Sequence, residues 1–160
     1  MRYVSLERTR DGIFLDPEAY LEQLPSLADS LPDGAREFAT EPGHYDFFGQ
    51  RCVKSLKPAR LTSGESGGSR WLELYFRHNC WKHEEDLTIR YRGVRSLTID
   101  PADGELDVVQ LQDVMLDEVL PHEQGCRHEI ACLAGRMVVT SQDLTATWQY
   151  ADCPEREANR

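Results

Sequence analysis

In Asp86-Leu87-Thr88-Ile89-Arg90-Tyr91-Arg92-Gly93-Val94-Arg95-Ser96-Leu97-Thr98-Ile99-Asp100, apolar and polar residues alternate with the period of two that belongs to β-structure. Leu87, Ile89 and Tyr91 point one way, and Leu97 and Ile99 must join them if one face is to be buried. The Arg92-Gly93 step in the middle predicts a reversal, so the stretch is expected to be a hairpin. A two-residue turn there would pair Tyr91 with Val94 and send Leu97 and Ile99 to the wrong face. The connection is therefore expected to be a three-residue loop at residues 92–94, or a bulge.

Working outward, residues 51–61 and 71–78 read as strands joined by the turn-rich segment 62–69, and the second of them is expected to be central because both its faces carry large side chains. Pro101-Ala102-Asp103-Gly104 is a turn. Residues 108–120 are ambiguous: Val108, Leu111, Met115 and Val119 suit a helix, whereas Val114, Leu116 and Leu120 suit a strand, which is favoured from Val114 onward. Strands at 127–133 and 137–150 follow, separated by turns, with Ser141-Gln142-Asp143 marking a bulge or break in the last one.

Before the sheet, residues 3–9 suggest a short strand, and Asp16-Pro17-Glu18 reads as a helix start: a side-chain acceptor, a proline where no N–H is needed, and an acid for the dipole. The stripe Tyr20, Leu24, Leu27, Leu31 gives the helix one apolar face. Pro25 is expected to divide it into two short helices, since proline inside a helix costs roughly 3 kcal/mol. A last turn is expected at 35–39, and the aromatic run His44-Tyr45-Asp46-Phe47-Phe48 is expected to plug the seam between helices and sheet. The expected architecture is α+β and β-dominated: an antiparallel sheet of about six to eight strands built from hairpins, short N-terminal helices packed on it, a single domain over 1–151 and a flexible tail over 152–160.

Eighteen basic residues against 28 acidic ones leave a net charge of -10 over 160 residues, which disfavours nucleic acid and anionic lipid and favours a basic protein partner. No run approaches the roughly 18 apolar residues of a membrane span, and the first ten residues lack an apolar signal-peptide core, so a cytoplasmic protein is expected. Five cysteines, widely spaced and without a Cys-x-x-Cys pair, predict no disulfide framework, zinc ribbon or thioredoxin-type site.

Gly64-Glu65-Ser66-Gly67-Gly68 has the letters of a nucleophile elbow, but a strand follows where a helix is required, so a loose hairpin loop is the plainer reading. His78, Cys80 and His83 could offer soft metal ligands from one loop, and Cys126 with His128 two more from one strand face; their spacing matches no common site, and solvated or hydrogen-bonded side chains explain them as simply. His44 with Asp46, or His122 or His128 with nearby carboxylates, could serve acid–base catalysis, yet no nucleophile or pocket can be located from one sequence. No cofactor is expected.

An N-terminal helical segment followed by an acidic antiparallel meander carrying Tyr91-Arg92-Gly93-Val94 and His128-Glu129-Ile130 resembles, over residues 16–150, the layout of small bacterial α+β proteins that include immunity proteins of toxin systems. That resemblance implies neutralisation of a basic toxin or nuclease and identifies no functional residue. The expected function is a non-enzymatic interaction domain engaging a basic protein through Asp100, Asp103, Glu105, Asp107, Asp113, Asp117 and Glu118. The competing expectation is a metal-dependent or His-centred small enzyme, or a ligand-binding protein.

Overall fold

Strand alternation dominates the chain, and the computed structural model, which describes residues 1–101 and 107–153, is correspondingly β-rich. A hairpin of β1 (Ser5–Thr9) and β2 (Gly12–Asp16) leads into α1 (Glu18–Ala28) and α2 (Asp33–Ala39). Then come β3 (Lys57–Ser66), β4 (Ser69–Arg77), β5 (Glu85–Asp100), a 3-10 turn (Val108–Leu111), β6 (Val114–His122), β7 (Gly125–Cys132) and β8 (Arg136–Tyr150). The last six strands form one antiparallel sheet in the order β3-β4-β5-β8-β7-β6. The expected α+β class and antiparallel sheet are thus present. No helix among the described residues is long and apolar enough to cross a membrane.

The expected hairpin at residues 86–100 is instead one 16-residue strand. β5 runs straight through Arg92-Gly93, and its partner along nearly the whole length is β8, with Leu87 opposite Trp148 and Ile99 opposite Met137. The parity requirement belonged to the hairpin alone, because Leu87, Ile89, Tyr91, Leu97 and Ile99 are separated by even numbers of residues and share one side of a continuous strand without any insertion. The ladder is nonetheless irregular here, its register shifting between Val94 and Ser96, and Gly93 takes φ 60°, a left-handed conformation that glycine enters without penalty. The same side of β8 shows the change, because its buried residues are Met137 and Val139 before Thr140-Ser141 and Leu144 after it. Local turn chemistry loses because β8 offers a continuous ladder that a hairpin would forfeit. In consequence β5 and β8 are the centre of the sheet, and β4, expected to be central, lies one strand from an edge.

The helices also divide differently. α1 continues through Pro25 to Ala28, and the break falls at Pro32, which precedes α2. Proline removes one donor, but Tyr20, Leu24 and Ala28 are buried on either side of it, and that burial holds the helix together. Aspartate does start α1 as expected, Asp16 Oδ1 accepting from the Glu18 amide. α1 packs on β6 and α2 on β8, and a single apolar cluster joins the helices, the sheet and the 3-10 turn. Of the aromatic run, His44 is buried and Tyr45 and Phe47 pack against the core, but Phe48 faces solvent.

One disulfide, Cys80–Cys153, closes the chain across 73 residues, contrary to the cysteine arithmetic; Cys52, Cys126 and Cys132 are buried thiols. Spacing along the sequence carried no trace of this pair, which becomes close only after β8 returns beside β5 and Ala151 N–H donates to Glu84 O. Cys153 is therefore buried and tethered rather than part of a free tail, while residues 154–160 lie outside the described residues.

Candidate functional site

Consecutive strand residues face opposite ways, and on β6 that places Asp117 toward the helices and Glu118 toward the N-terminal segment. Both are about 1% exposed. Glu118 accepts from the amides of Arg2, Tyr3 and Val4 at 2.7, 2.6 and 2.8 Å, which fastens residues 2–4 to the sheet. Asp117 is the hub of a buried polar chain: His44 Nε2 lies 2.7 Å from Oδ1 and His128 Nε2 2.8 Å from Oδ2.

Obligatory acceptors on both sides of the His44 ring fix its protons. His44 Nδ1 sits 2.9 Å from Phe38 O, an obligatory acceptor, so with an ionised Asp117 both ring nitrogens of His44 donate and the ring is an imidazolium. His128 Nε2 donates to the ionised Asp117, and its Nδ1 lies 2.7 Å from the Tyr91 hydroxyl. Burial alone would pull the His44 pKa down, but the Asp117 charge and the hydrogen bonds to Asp117 and Phe38 reverse this and hold it above its ordinary value. Burial likewise pushes Asp117 up, and the His44 charge with the bonds from both histidines brings it well below the carboxylate range. The cavity beside Asp117 and His128 measures only about 10 Å³, too small for a substrate, so this chain organises the core and no reaction is assigned to it.

A second polar constellation lies at the end of the sheet and reaches the surface. Asp86, near the start of β5, accepts from the His78 amide at 2.7 Å, from His78 Nδ1 at 2.6 Å and from the Tyr75 hydroxyl at 2.5 Å. Burial would raise the Asp86 pKa, and these three donors lower it instead. With Nδ1–H committed to the carboxylate, His78 Nε2 faces Cys80 Sγ at 3.4 Å. His78 Nε2 and the two sulfurs of the Cys80–Cys153 bridge all lie within 4.8 Å of one another.

The sequence candidates are therefore dispersed. His78 and Cys80 meet, joined by Cys153 and Asp86, neither of which the spacing of metal motifs suggested. His83 turns away: Nε2 donates to Cys52 O and Nδ1 accepts from the Asn79 amide, and burial first of all lowers its pKa to about 4. Cys126 contacts Ser141 Oγ at 3.6 Å, and His128 belongs to the Asp117 chain. His44 pairs with Asp117 and not with Asp46, and His122 Nδ1 accepts from the Gln124 amide in the β6–β7 turn.

Of the acidic candidates, Asp117 and Glu118 are committed inside, and Asp113 is half-buried with its carbonyl accepting from Leu133. Asp107 caps the 3-10 turn at its exposed start, and Asp100 lies 3.7 Å from Arg136. Asp103 and Glu105 lie outside the described residues.

Three segments converge at the Cys80–Cys153 end. Lys82 Nζ donates to Lys54 O and His83 to Cys52 O, tying loop 78–85 to loop 41–55. Arg51 pairs with Glu85, which lies opposite Tyr150 in the ladder. Phe48, Trp81 and Tyr150 stand on these segments 93%, 78% and 67% exposed. Asp46, Glu84 and Asp152 are exposed on the same segments, and Glu41 and Glu85 are half-buried there. Elsewhere, a surface concavity of about 510 Å³ is lined by Arg70, Arg90 and Arg92, but Arg90 is paired with Glu73 and Arg92 with Asp143. No protein-family model, curated protein or solved structure matches the chain.

Proposed function

We propose that this chain is a non-enzymatic interaction domain that engages a basic protein through the end of the sheet where loops 41–55, 78–85 and 150–153 meet. The observation that carries the reading is the exposure of Phe48, Trp81 and Tyr150 on segments that hydrogen bonds, an ion pair and a disulfide hold together. Large aromatic side chains are the usual anchors of protein interfaces, and leaving three of them in water gains nothing for the monomer. Carboxylates on the same segments, in a chain of net charge -10, suit a cationic partner and would speed its approach at low ionic strength. A basic toxin or nuclease, the partner class that the immunity-like layout implies, has that chemistry.

The acidic stretch 100–118 is replaced in this reading, because Asp117 and Glu118 are spent on the core and on the N-terminal segment. The test is an untagged capture from source-organism lysate at about 50 and 500 mM salt, using the native protein and a Phe48→Ser/Trp81→Ser/Tyr150→Ser variant; a Debye length of about 10 Å at 0.1 M sets the useful salt range. A basic protein retained by the native chain at low salt and lost both at high salt and in the variant supports the reading. Retention of nothing at low salt, or retention indifferent to the three aromatics, overturns it.

A further inference from the structure

Reduction of a disulfide leaves two thiols, and thiols beside an oriented imidazole are metal ligands. Cys80 and Cys153 have Cα atoms 6.0 Å apart, and His78 Nε2 points at the bridge. Asp86 holds His78 by Nδ1–H, which is the outer carboxylate–histidine arrangement that fixes Nε2 as the ligand atom and raises its basicity. Asp86 is itself held by the Tyr75 hydroxyl and the His78 amide, so the imidazole is positioned before any ion arrives. His78 and Cys153 are buried and Cys80 is half-buried, giving a site enclosed on one side and open on the other.

We propose that the reduced protein binds one zinc ion through Cys80 Sγ, Cys153 Sγ and His78 Nε2, so that the Cys80–Cys153 bridge is the closed state of a thiol-controlled metal site. In the first step a dithiol reductant is oxidised to its disulfide as the Cys80–Cys153 bond breaks and each sulfur takes a proton. In the second, Zn²⁺ displaces those two protons and forms two Zn–S bonds and one Zn–N bond, leaving a neutral centre with a fourth position for water. On one tetrahedral ion with Zn–S near 2.3 Å the sulfurs stand about 3.8 Å apart, a small separation from the bridged state for two residues whose loop and strand end already meet. Two thiolates and an imidazole suit zinc better than the hard cations, which take oxygen. Release of the bridge loosens the end of β8, yet the site needs no protein partner and stands whether or not the aromatic surface binds one.

The experiment is a zinc titration of the native chain, oxidised and reduced, against a chromophoric chelator without oxygen, followed by cobalt substitution. The reduced chain is expected to take up one equivalent with a thiolate-to-cobalt absorption band, and the oxidised chain, the same polypeptide with both sulfurs blocked, none. Asp86→Asn is expected to weaken zinc about 10–100-fold while leaving the band in place. A Cys80→Ser/Cys153→Ser variant is expected to lose both uptake and band. No stoichiometric uptake by the reduced chain overturns the proposal, as does a double variant that binds like the native protein, since the ion would then belong to Cys52, Cys126 or Cys132.

Discussion

Asp117 is the residue on which the interior depends, because it compensates a buried imidazolium at His44 and orients His128 at the same time. Asp117→Asn keeps the shape but leaves the His44 charge without a counter-ion and sets an amide donor against a ring donor. Breaking a buried pair in this way costs about 3–5 kcal/mol, to be measured by urea denaturation near pH 6. The pH dependence follows from the directions of the shifts. The Asp117 pKa is lowered on folding, so its contribution is complete above the unfolded value of about 3.9 and lost below it. The His44 pKa is raised, so its contribution is complete below about 6.5 and declines as pH rises through the folded value. His83 acts in the opposite sense. Lowered to about 4, it costs nothing above about pH 6.5 and destabilises the fold increasingly as pH falls toward 4. His83→Gln, which keeps a donor for Cys52 O, is therefore expected to flatten urea midpoints between pH 6.5 and 4 while the decline above pH 6.5 persists.

The elements interlock by devices that cross between them. α2 has no side-chain cap of its own, and Asp143 on β8 supplies it by accepting from the amides of Gly34 and Ala35 at 3.2 and 2.9 Å. The approach is so close that a Cβ on Gly34 would lie 1.9 Å from Leu144 O, a backbone atom that cannot step aside. Gly34→Ala is expected to push α2 off β8 and cost about 1–3 kcal/mol, the usual range for overpacking, read as a lowered urea midpoint. At the outer edge of the sheet, the hydroxyls of Tyr45 and Tyr20 donate to the carbonyls of Asp117 and Val119, so the edge of β6 is covered there by α1 and the loop after α2. Tyr20→Phe keeps the ring and strands the Val119 carbonyl, a loss expected to be about 1–3 kcal/mol for a buried unsatisfied group. Among the described residues no buried side-chain nitrogen or oxygen lacks a partner, which is why single deletions here should be felt so strongly.

At the scale of the molecule, the Cys80–Cys153 bridge joins the β4–β5 connection to the end of β8 across 73 residues. A loop of that length predicts that reduction lowers stability by about 2–4 kcal/mol, measured as the shift in urea midpoint with and without dithiol. The β5–β8 ladder closes loops of similar size, pairing Glu85 with Tyr150, so refolding of the reduced chain is expected on the millisecond-to-second scale of non-local β-proteins, by stopped-flow fluorescence. Period-two alternation by itself determined the α+β class, the antiparallel pairing and the strand beginning at Val114. These are local properties, and they survive whatever partner a strand finds. The sequence pointed to a hairpin at Arg92-Gly93 and was overruled there, because whether the chain turns or runs on depends on whether β8 arrives as a partner. For the same reason it could not assign Asp117 to His44, 73 residues away, or Cys153 and Asp86 to His78 and Cys80. Those encounters carry no local period, and only the tertiary structure, by bringing β6, β7 and the loop after α2 together and the end of β8 beside β5, decided which titratable groups are spent in the core and which remain at the surface.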